Sequence, residues 1–192
     1  MKKKILLVAV TAICIAILAS GTLAFFTAED VVHNVITTSS VNIEIQEWQH
    51  QVGNPYPDTP IRVMPSVTVS KIATIKNLDA EAFIRAKFDV VITREDGSVM
   101  QLAPETLARI ITLTMNGEDW LRKSGDGVWW YYNDSVAAGD STEPFFTEVV
   151  FDGPNMTNEY QNCTVEVIVK AQGVQKANNG RDPLEASGWP AE

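Results

Sequence analysis

The chain contains few of the residues from which catalytic, metal-binding and disulfide-bonded proteins are built. It has two cysteines and two histidines among 192 residues. Cys14 lies in an apolar N-terminal segment, so Cys163 has no partner for an intramolecular disulfide once that segment is removed. His33 and His50 are 17 positions apart, and neither belongs to a His-Glu-x-x-His helix. The sequence therefore predicts no metal, no cofactor, no catalytic residue and no enzyme activity.

Basic residues are also scarce relative to acidic ones. The formal net charge is -9, and removing Lys2, Lys3 and Lys4 with the N-terminal segment leaves 12 basic against 24 acidic residues, a net charge of -12. An acidic surface repels phosphate backbones and anionic lipid headgroups. We expect no nucleic-acid binding, and contact with a membrane only transiently, through the N-terminal segment during export.

The N-terminal segment has the parts of a signal peptide. Lys2–Lys4 form a positive region, Ile5–Ala19 is uncharged and apolar, and a small-residue motif ends at Ala24, which predicts cleavage between Ala24 and Phe25. A retained anchor is the alternative, because Ile5–Phe26 is long enough to span a bilayer. The sequence predicts export, and with cleavage a secreted protein of the extracellular matrix or cell surface.

Beyond the leader, apolar and polar residues alternate, which is the pattern of strands with one buried and one solvated face. Ala82–Ile92 is the clearest case: its even-numbered residues are apolar, whereas Arg85, Lys87 and Asp89 are expected to face solvent. Thr164–Gln172 repeats the pattern, with Gln172 among the residues expected outside.

Further strands and turns complete an all-β architecture. Strand patterns also occur in Val41–Ile45, Ser66–Ile75, Val128–Tyr132 and Phe145–Phe151. Pro104–Ile111 is the best helical candidate, with proline in its first turn. About eight strands with regularly spaced turns predict a jelly-roll-like antiparallel β-sandwich with at most one or two short helices.

The sequence divides into four segments. Residues 1–24 are the signal peptide, 25–40 an N-terminal assembly segment, 41–175 the β-sandwich domain and 176–192 a weakly ordered tail. Removing 24 residues from 192 leaves 168, which is the size of one domain with one core.

Four consecutive aromatic residues, Trp129, Trp130, Tyr131 and Tyr132, form a candidate surface platform. Side chains alternate between the faces of a strand, so Trp129 and Tyr131 lie opposite to Trp130 and Tyr132. One pair must lie outside the core unless a neighbouring segment or another subunit covers it. A monomeric secreted module that binds carbohydrate or cell wall is therefore an alternative function.

Several segments together resemble the TasA/camelysin family of exported proteins of Gram-positive bacteria. They are Gly21–Thr27, Val41–Ile45, Val69–Asn77, Phe83–Arg85, Val169–Gln175 and Trp189. The resemblance implies a jelly-roll sandwich, removal of the leader by a SipW-type signal peptidase, and assembly into biofilm matrix fibres by donation of the N-terminal strand to the next subunit. Some members have been described as proteases, so a secreted camelysin-like hydrolase is a third alternative, although no His-Glu-x-x-His motif supports it here.

The donated strand that the resemblance implies corresponds to residues 25–36, an apolar-rich segment before the first clear strand of the domain. Its apolar residues are Phe25, Phe26, Val31, Val32, Val35 and Ile36. Added to a neighbouring subunit, such a strand forms main-chain hydrogen bonds and fills side-chain pockets. The other interpretation is that it is the sandwich's own first strand. The expected partners are further copies of this chain, or related matrix subunits, in a head-to-tail fibre.

Overall fold

The protein is an antiparallel β-sandwich. Its structure, a computed structural model, describes residues 27–31, 41–57, 65–177 and 179–191. The strands in these ranges are β1 (Thr27–Val31), β2 (Ile43–Trp48), β3 (Thr68–Asn77), β4 (Ala82–Thr93), β5 (Ile111–Met115), β6 (Trp120–Arg122), β7 (Trp130–Val136), β8 (Phe146–Phe151) and β9 (Thr164–Gln175). The helical elements are α1 (Pro104–Ile110) and two 3-10 turns, Asn158–Tyr160 and Pro183–Glu185.

Two sheets form the layers. The five-stranded sheet has the order β1-β9-β4-β7-β6, and the four-stranded sheet has the order β2-β3-β8-β5. Neighbouring strands are antiparallel throughout. The prediction of an all-β antiparallel sandwich with little helix is confirmed.

Period-2 alternation places the core between the sheets. Ile84 and Ala86 of β4 and Ala171 of β9 are fully buried on the inner face of the five-stranded sheet. Ile75 of β3 and Phe146 of β8 are fully buried on the facing sheet. These residues belong to one continuous hydrophobic cluster, so both sheets depend on the same core.

The short elements are where the sequence pattern and the structure differ. Ile111 was placed at the end of the helix, but it begins β5, where Ile111 and Leu113 are both buried and the residue between them is exposed. β6 has three residues, too few to show an alternating pattern. The described strands therefore number nine, where the sequence indicated about eight.

β1 and β9 meet at one edge of the five-stranded sheet. Thr27 lies opposite Val174 and Val31 lies opposite Lys170. Residues 27–31 belong to the predicted assembly segment, 25–40, and in the structure they pair with β9 in the sheet. An own first strand, the other interpretation of this segment, has this pairing. The leader and the cleavage site at Ala24 lie outside the described residues.

β9 approaches the start of β2 most closely at Gly173. A Cβ atom built on Gly173 would lie 2.7 Å from Cγ1 of Val41 and 3.4 Å from Cγ2 of Ile43. Real Cβ atoms avoid such a distance, so the missing side chain is what lets Val41 pack directly on the sheet. Val41 is fully buried there.

The substitution Gly173→Ala should destabilise the protein by about 1–3 kcal/mol, because the added methyl group overpacks this contact. Gly117→Ala is the matched control, since a Cβ at Gly117 would meet nothing within 4 Å, and it should change stability by about 0.5 kcal/mol or less. Urea unfolding of both variants measures the difference. Equal midpoints would contradict the close packing of Val41 on Gly173.

Candidate functional site

The outer face of the five-stranded sheet carries a cluster that is covered by the end of the chain. Residues 179–191, here called the strap, run over β4 and β7. The Arg85 cluster consists of Trp189 from the strap and four residues beneath the strap: Arg85, Trp129, Tyr131 and Gln172. Two of its members, Arg85 and Gln172, were expected to face solvent, yet they are 8% and 0% exposed.

Cross-strand register brings the cluster together. Arg85 of β4 lies opposite Gln172 of β9 on one side and opposite Tyr131 of β7 on the other. Residues that are directly opposite in antiparallel strands share a face. The three side chains therefore form a row across the middle of the sheet.

Arg85 is held by both hydrogen bonds and aromatic rings. Its Nε and Nη2 atoms donate to Oε1 of Gln172 at 2.9 and 2.6 Å, and Nη1 donates to the hydroxyl of Tyr131 at 3.2 Å. The guanidinium carbon lies 4.3 Å from the ring centroid of Trp129 and 4.7 Å from that of Trp189. A guanidinium group is suited to this position because it is planar, weakly hydrated and able to stack on aromatic faces.

The strap, which lies within the predicted tail of residues 176–192, has defined anchors. The Asn179 side chain donates to the carbonyl of Gln175 and accepts from the amide of Ser187, each at 2.8 Å. Lys123 donates to the carbonyl of Leu184 and lies 3.4 Å from the carboxylate of Glu185. These contacts tie the strap to the end of β9 and to the loop after β6.

The four aromatic residues do not form a surface platform in this closed arrangement. Trp129 and Tyr131 are each 3% exposed, and the ring of Trp189 lies edge-on to Tyr131 at 5.6 Å. Trp130 and Tyr132 pack on the core from the opposite face. Cover by a neighbouring segment, the alternative left open by the sequence, is what the structure has.

Tyr131 links Arg85 to an acidic residue. Its hydroxyl donates to Oδ2 of Asp126 and accepts from Arg85. Burial raises the pKa of Tyr131, and the hydrogen bond to Asp126 raises it further, while Arg85 acts in the opposite direction. The phenol therefore stays protonated and keeps its place in the chain from Arg85 to Asp126.

Gln172 has one donor group that the cluster does not use. Its Oε1 accepts twice from Arg85, which fixes the orientation of the amide. Its Nε2 is buried and has no hydrogen-bond partner among the described residues. An unpaired buried donor costs about 1–3 kcal/mol.

The second feature of this sheet is an incompletely covered strand edge. β4 pairs with β9 over its full length, from Thr164 to Gln175. On the other side, β1 as described, Thr27–Val31, pairs with Lys170–Val174. No described strand pairs with that side at Thr164–Val169, here called the open edge, and most of these residues are partly or fully exposed.

Most residues predicted for assembly lie outside the described ranges: Phe25, Phe26, Val32, Val35 and Ile36. Val31 is described as the end of β1. His33 also lies outside, and His50 is an exposed loop residue with φ of 68°. Cys163 is partly buried against the core, with its sulfur 3.9 Å from that of Met100.

The described residues hold no group of three or more histidine, cysteine, aspartate or glutamate side chains placed to bind a metal ion. None of the helices in the same ranges is long and apolar enough to cross a bilayer.

The sequence did not predict the Arg85 cluster, although its residues lie in segments that the sequence singled out. Arg85 and Trp189 each lie in a segment of the family resemblance, and Trp129 and Tyr131 lie in the aromatic run. Their meeting depends on which segment covers the outer face, and an alternating pattern carries no such information.

Comparison with known proteins leaves the function to be inferred from these contacts. No protein-family model matches the chain, and neither a curated protein nor a solved structure matches it.

The substitution Arg85→Lys should destabilise the protein by about 1–3 kcal/mol, because an ammonium group cannot reproduce the paired hydrogen bonds to Gln172 or the stacking on two indoles. Arg94→Lys is the matched control, since Arg94 is exposed and its one described side-chain bond is to Ser98 at 3.3 Å. It should leave stability within about 0.5 kcal/mol of the parent. Thermal unfolding of the two variants gives the comparison, and equal losses would show that the cluster adds nothing.

Stability should fall at alkaline pH in a way that depends on Tyr131. Its pKa in the folded protein is raised, so above about pH 10 the unfolded chain loses its phenol proton first and unfolding is favoured. In Tyr131→Phe this contribution disappears, and the decline between about pH 9 and pH 11 should be shallower. Burial also raises the pKa of Tyr56, Tyr132 and Tyr160, so some decline remains. Urea unfolding across this range tests the prediction, which fails if the two slopes are identical.

Proposed function

We propose that the chain is an exported structural protein, the subunit of an extracellular matrix fibre that assembles head to tail by exchange of its N-terminal strand. It acts without a cofactor and without catalysis, its partner is a second copy or a related subunit, and a SipW-type peptidase removes its leader. The resemblance to the TasA/camelysin family supports this proposal. The observation that carries it is the open edge beside β1.

The register of β1 on β9 predicts what a longer strand would cover. Thr27 lies opposite Val174 and Val31 opposite Lys170. Continued without a shift, this register places Val32 opposite Val169 and Thr37 opposite Thr164. A strand formed by residues 27–37 would therefore pair with the open edge to its end.

One chain cannot form that longer pairing with itself. Val41 packs on Gly173, so a strand that followed β9 to Thr164 would have to return along nine residues of β9, about 30 Å at about 3.3 Å per residue. The four peptide steps from Thr37 to Val41 reach at most about 14 Å. The same strand from a second copy has no such limit, because its Val41 belongs to another domain.

The extended register also pairs apolar residues on the core side of the sheet. It places Val32 opposite Val169, which is fully buried, and Ile36 opposite Val165, which packs on the core and is partly exposed. Cross-strand apolar pairs of this kind stabilise a sheet. A donated strand would thus gain both main-chain hydrogen bonds and apolar contacts.

Such an exchange produces a fibre when each copy donates its strand onward to a third copy and not back to its own donor. The donated segment and the accepting edge are different surfaces, so the contact is heterologous, and every copy can both give and receive a strand. Assembly continues in one direction unless the rotation between copies closes a ring.

The carbohydrate-binding alternative has less support than fibre assembly. Two of its four platform residues, Trp129 and Tyr131, are buried beneath the strap. A sugar could stack on them only after the strap had been displaced. The hydrolase alternative has no specific observation in its favour.

Protein that starts at Phe25 should form filaments visible by electron microscopy and should elute as large species in size-exclusion chromatography. A version that lacks residues 25–36 should remain monomeric, because it has no strand to donate. Circular dichroism must show that the shortened chain is still folded. Monomers from both versions at high concentration would contradict the proposal.

Thiol crosslinking tests the extended register itself. In a Cys163→Ser background, Thr37→Cys with Thr164→Cys should give a ladder of covalent oligomers after treatment with a short bifunctional thiol reagent. The control pairs Thr37→Cys with Thr93→Cys, since Thr93 lies opposite Thr164 on β4, one strand farther from the open edge. It should give no ladder. Equal ladders, or a product within one chain only, would argue against exchange in this register.

A further inference from the structure

The strap is seated on the sheet as a bound peptide would be. Within the described residues it adds no strand to either sheet, and it is held by side chains and single carbonyl groups. Pro183 is its buried residue, while its other residues, Trp189 included, keep part of their surface exposed. A segment with so little buried surface can open without unfolding the sandwich.

The sheet beneath the strap has the features of a recognition site. The guanidinium of Arg85 and the ring of Tyr131 contact the indole of Trp189. Nη2 of Arg85 also lies 3.5 Å from the carbonyl oxygen of Pro190, and Lys123 donates to the carbonyl of Leu184. An aromatic anchor in a pocket, with fixed donors for peptide carbonyls on either side, is how a short segment is bound specifically.

The floor of the site contains one polar group that the strap does not pair. The Nε2 group of Gln172 is fully buried in the floor and has no acceptor among the described residues. It belongs to the same side chain that positions Arg85. An exchanged strap makes the same contacts as the chain's own strap, so this donor does not distinguish between the two.

We propose that this face is a peptide-binding site whose ligand is a Trp-Pro segment, and that it accepts the strap of a second copy in place of its own. The strap of a second copy would fit this face because the chain's own strap, which has the same sequence, already binds there. Exchange of an identical element between copies requires no new complementarity, because every contact made within one chain is made again between two. This inference is independent of the N-terminal strand. It concerns the strap and the outer face of the five-stranded sheet, whereas the N-terminal strand pairs at the edge of that sheet.

The binding test uses a fluorescent synthetic peptide of residues 179–192 and measures its anisotropy. Two opened proteins serve as receptors. One lacks residues 179–192. The other is the full chain with Trp189→Ala, which is used in case the deletion prevents folding. Both should bind the peptide saturably at one site. The intact chain should bind at least about tenfold more weakly, because its own strap competes at an effective concentration on the order of millimolar.

A peptide with Trp189→Ala is the matched control and should bind the opened proteins at least about tenfold more weakly than the parent peptide. Folded, opened proteins that fail to bind the peptide would overturn the proposal. Equal affinity for the two peptides would also overturn it. Binding of a soluble oligosaccharide by the opened proteins, without binding of the peptide, would instead identify the face as a sugar site.

The exchange between copies is tested by capture. Both chains in this test lack residues 25–36, so that the proposed exchange of N-terminal strands cannot link them. The strap-deleted chain, immobilised, should then retain a soluble chain that keeps its strap and carries Arg85→Lys, whose own site holds its strap less well. Retention should be lost when the soluble chain also carries Trp189→Ala. Retention that persists without Trp189 would show that another surface links the copies, and the proposal would fail.

Discussion

The ladder between β4 and β9 is the constraint on which the rest of the structure depends. The two strands pair over twelve positions without a register shift, from Ala82 opposite Gln175 to Thr93 opposite Thr164. Because side chains alternate, this single register decides both faces at once. It turns Ile84, Ala86 and Ala171 to the core, and it sets Arg85 beside Gln172 on the other face.

The two proposed contacts between copies concern the outer face of this ladder and the far edge of β9. The outer face of the ladder needs cover, because Arg85 and Gln172 form a polar row that the strap and two tryptophans close over. The far edge of β9 has room for a partner, because among the described residues β1 pairs with Lys170–Val174 and no strand pairs with that side of Thr164–Val169. Unpaired strand edges invite another chain. The proposed strand exchange and the proposed strap exchange thus place two independent contacts between copies on the same sheet, one at its edge and one on its face.

Most of the architecture was predictable from local pattern. The strands with long alternation, Ala82–Ile92 and Thr164–Gln172, lie where β4 and β9 are found, and the helix at Pro104 begins at its proline. Where the pattern was too short, as in β6, or where helix and strand meet without a turn, as at Ile111, the prediction failed. Three residues cannot show a period of two, and an isoleucine suits either element.

The chain's own sequence therefore determined the class of fold, the acidic surface and the candidate strand at the N-terminus, because each is a local property of composition or of alternation. The tertiary structure decided which polar residues are buried and, within the residues it describes, which strand edge has no partner. Arg85 looks like a solvent-facing strand residue until Trp189, about 100 positions away, covers it. Burial of an outward-facing residue depends on contacts far along the chain, and no local period encodes those contacts.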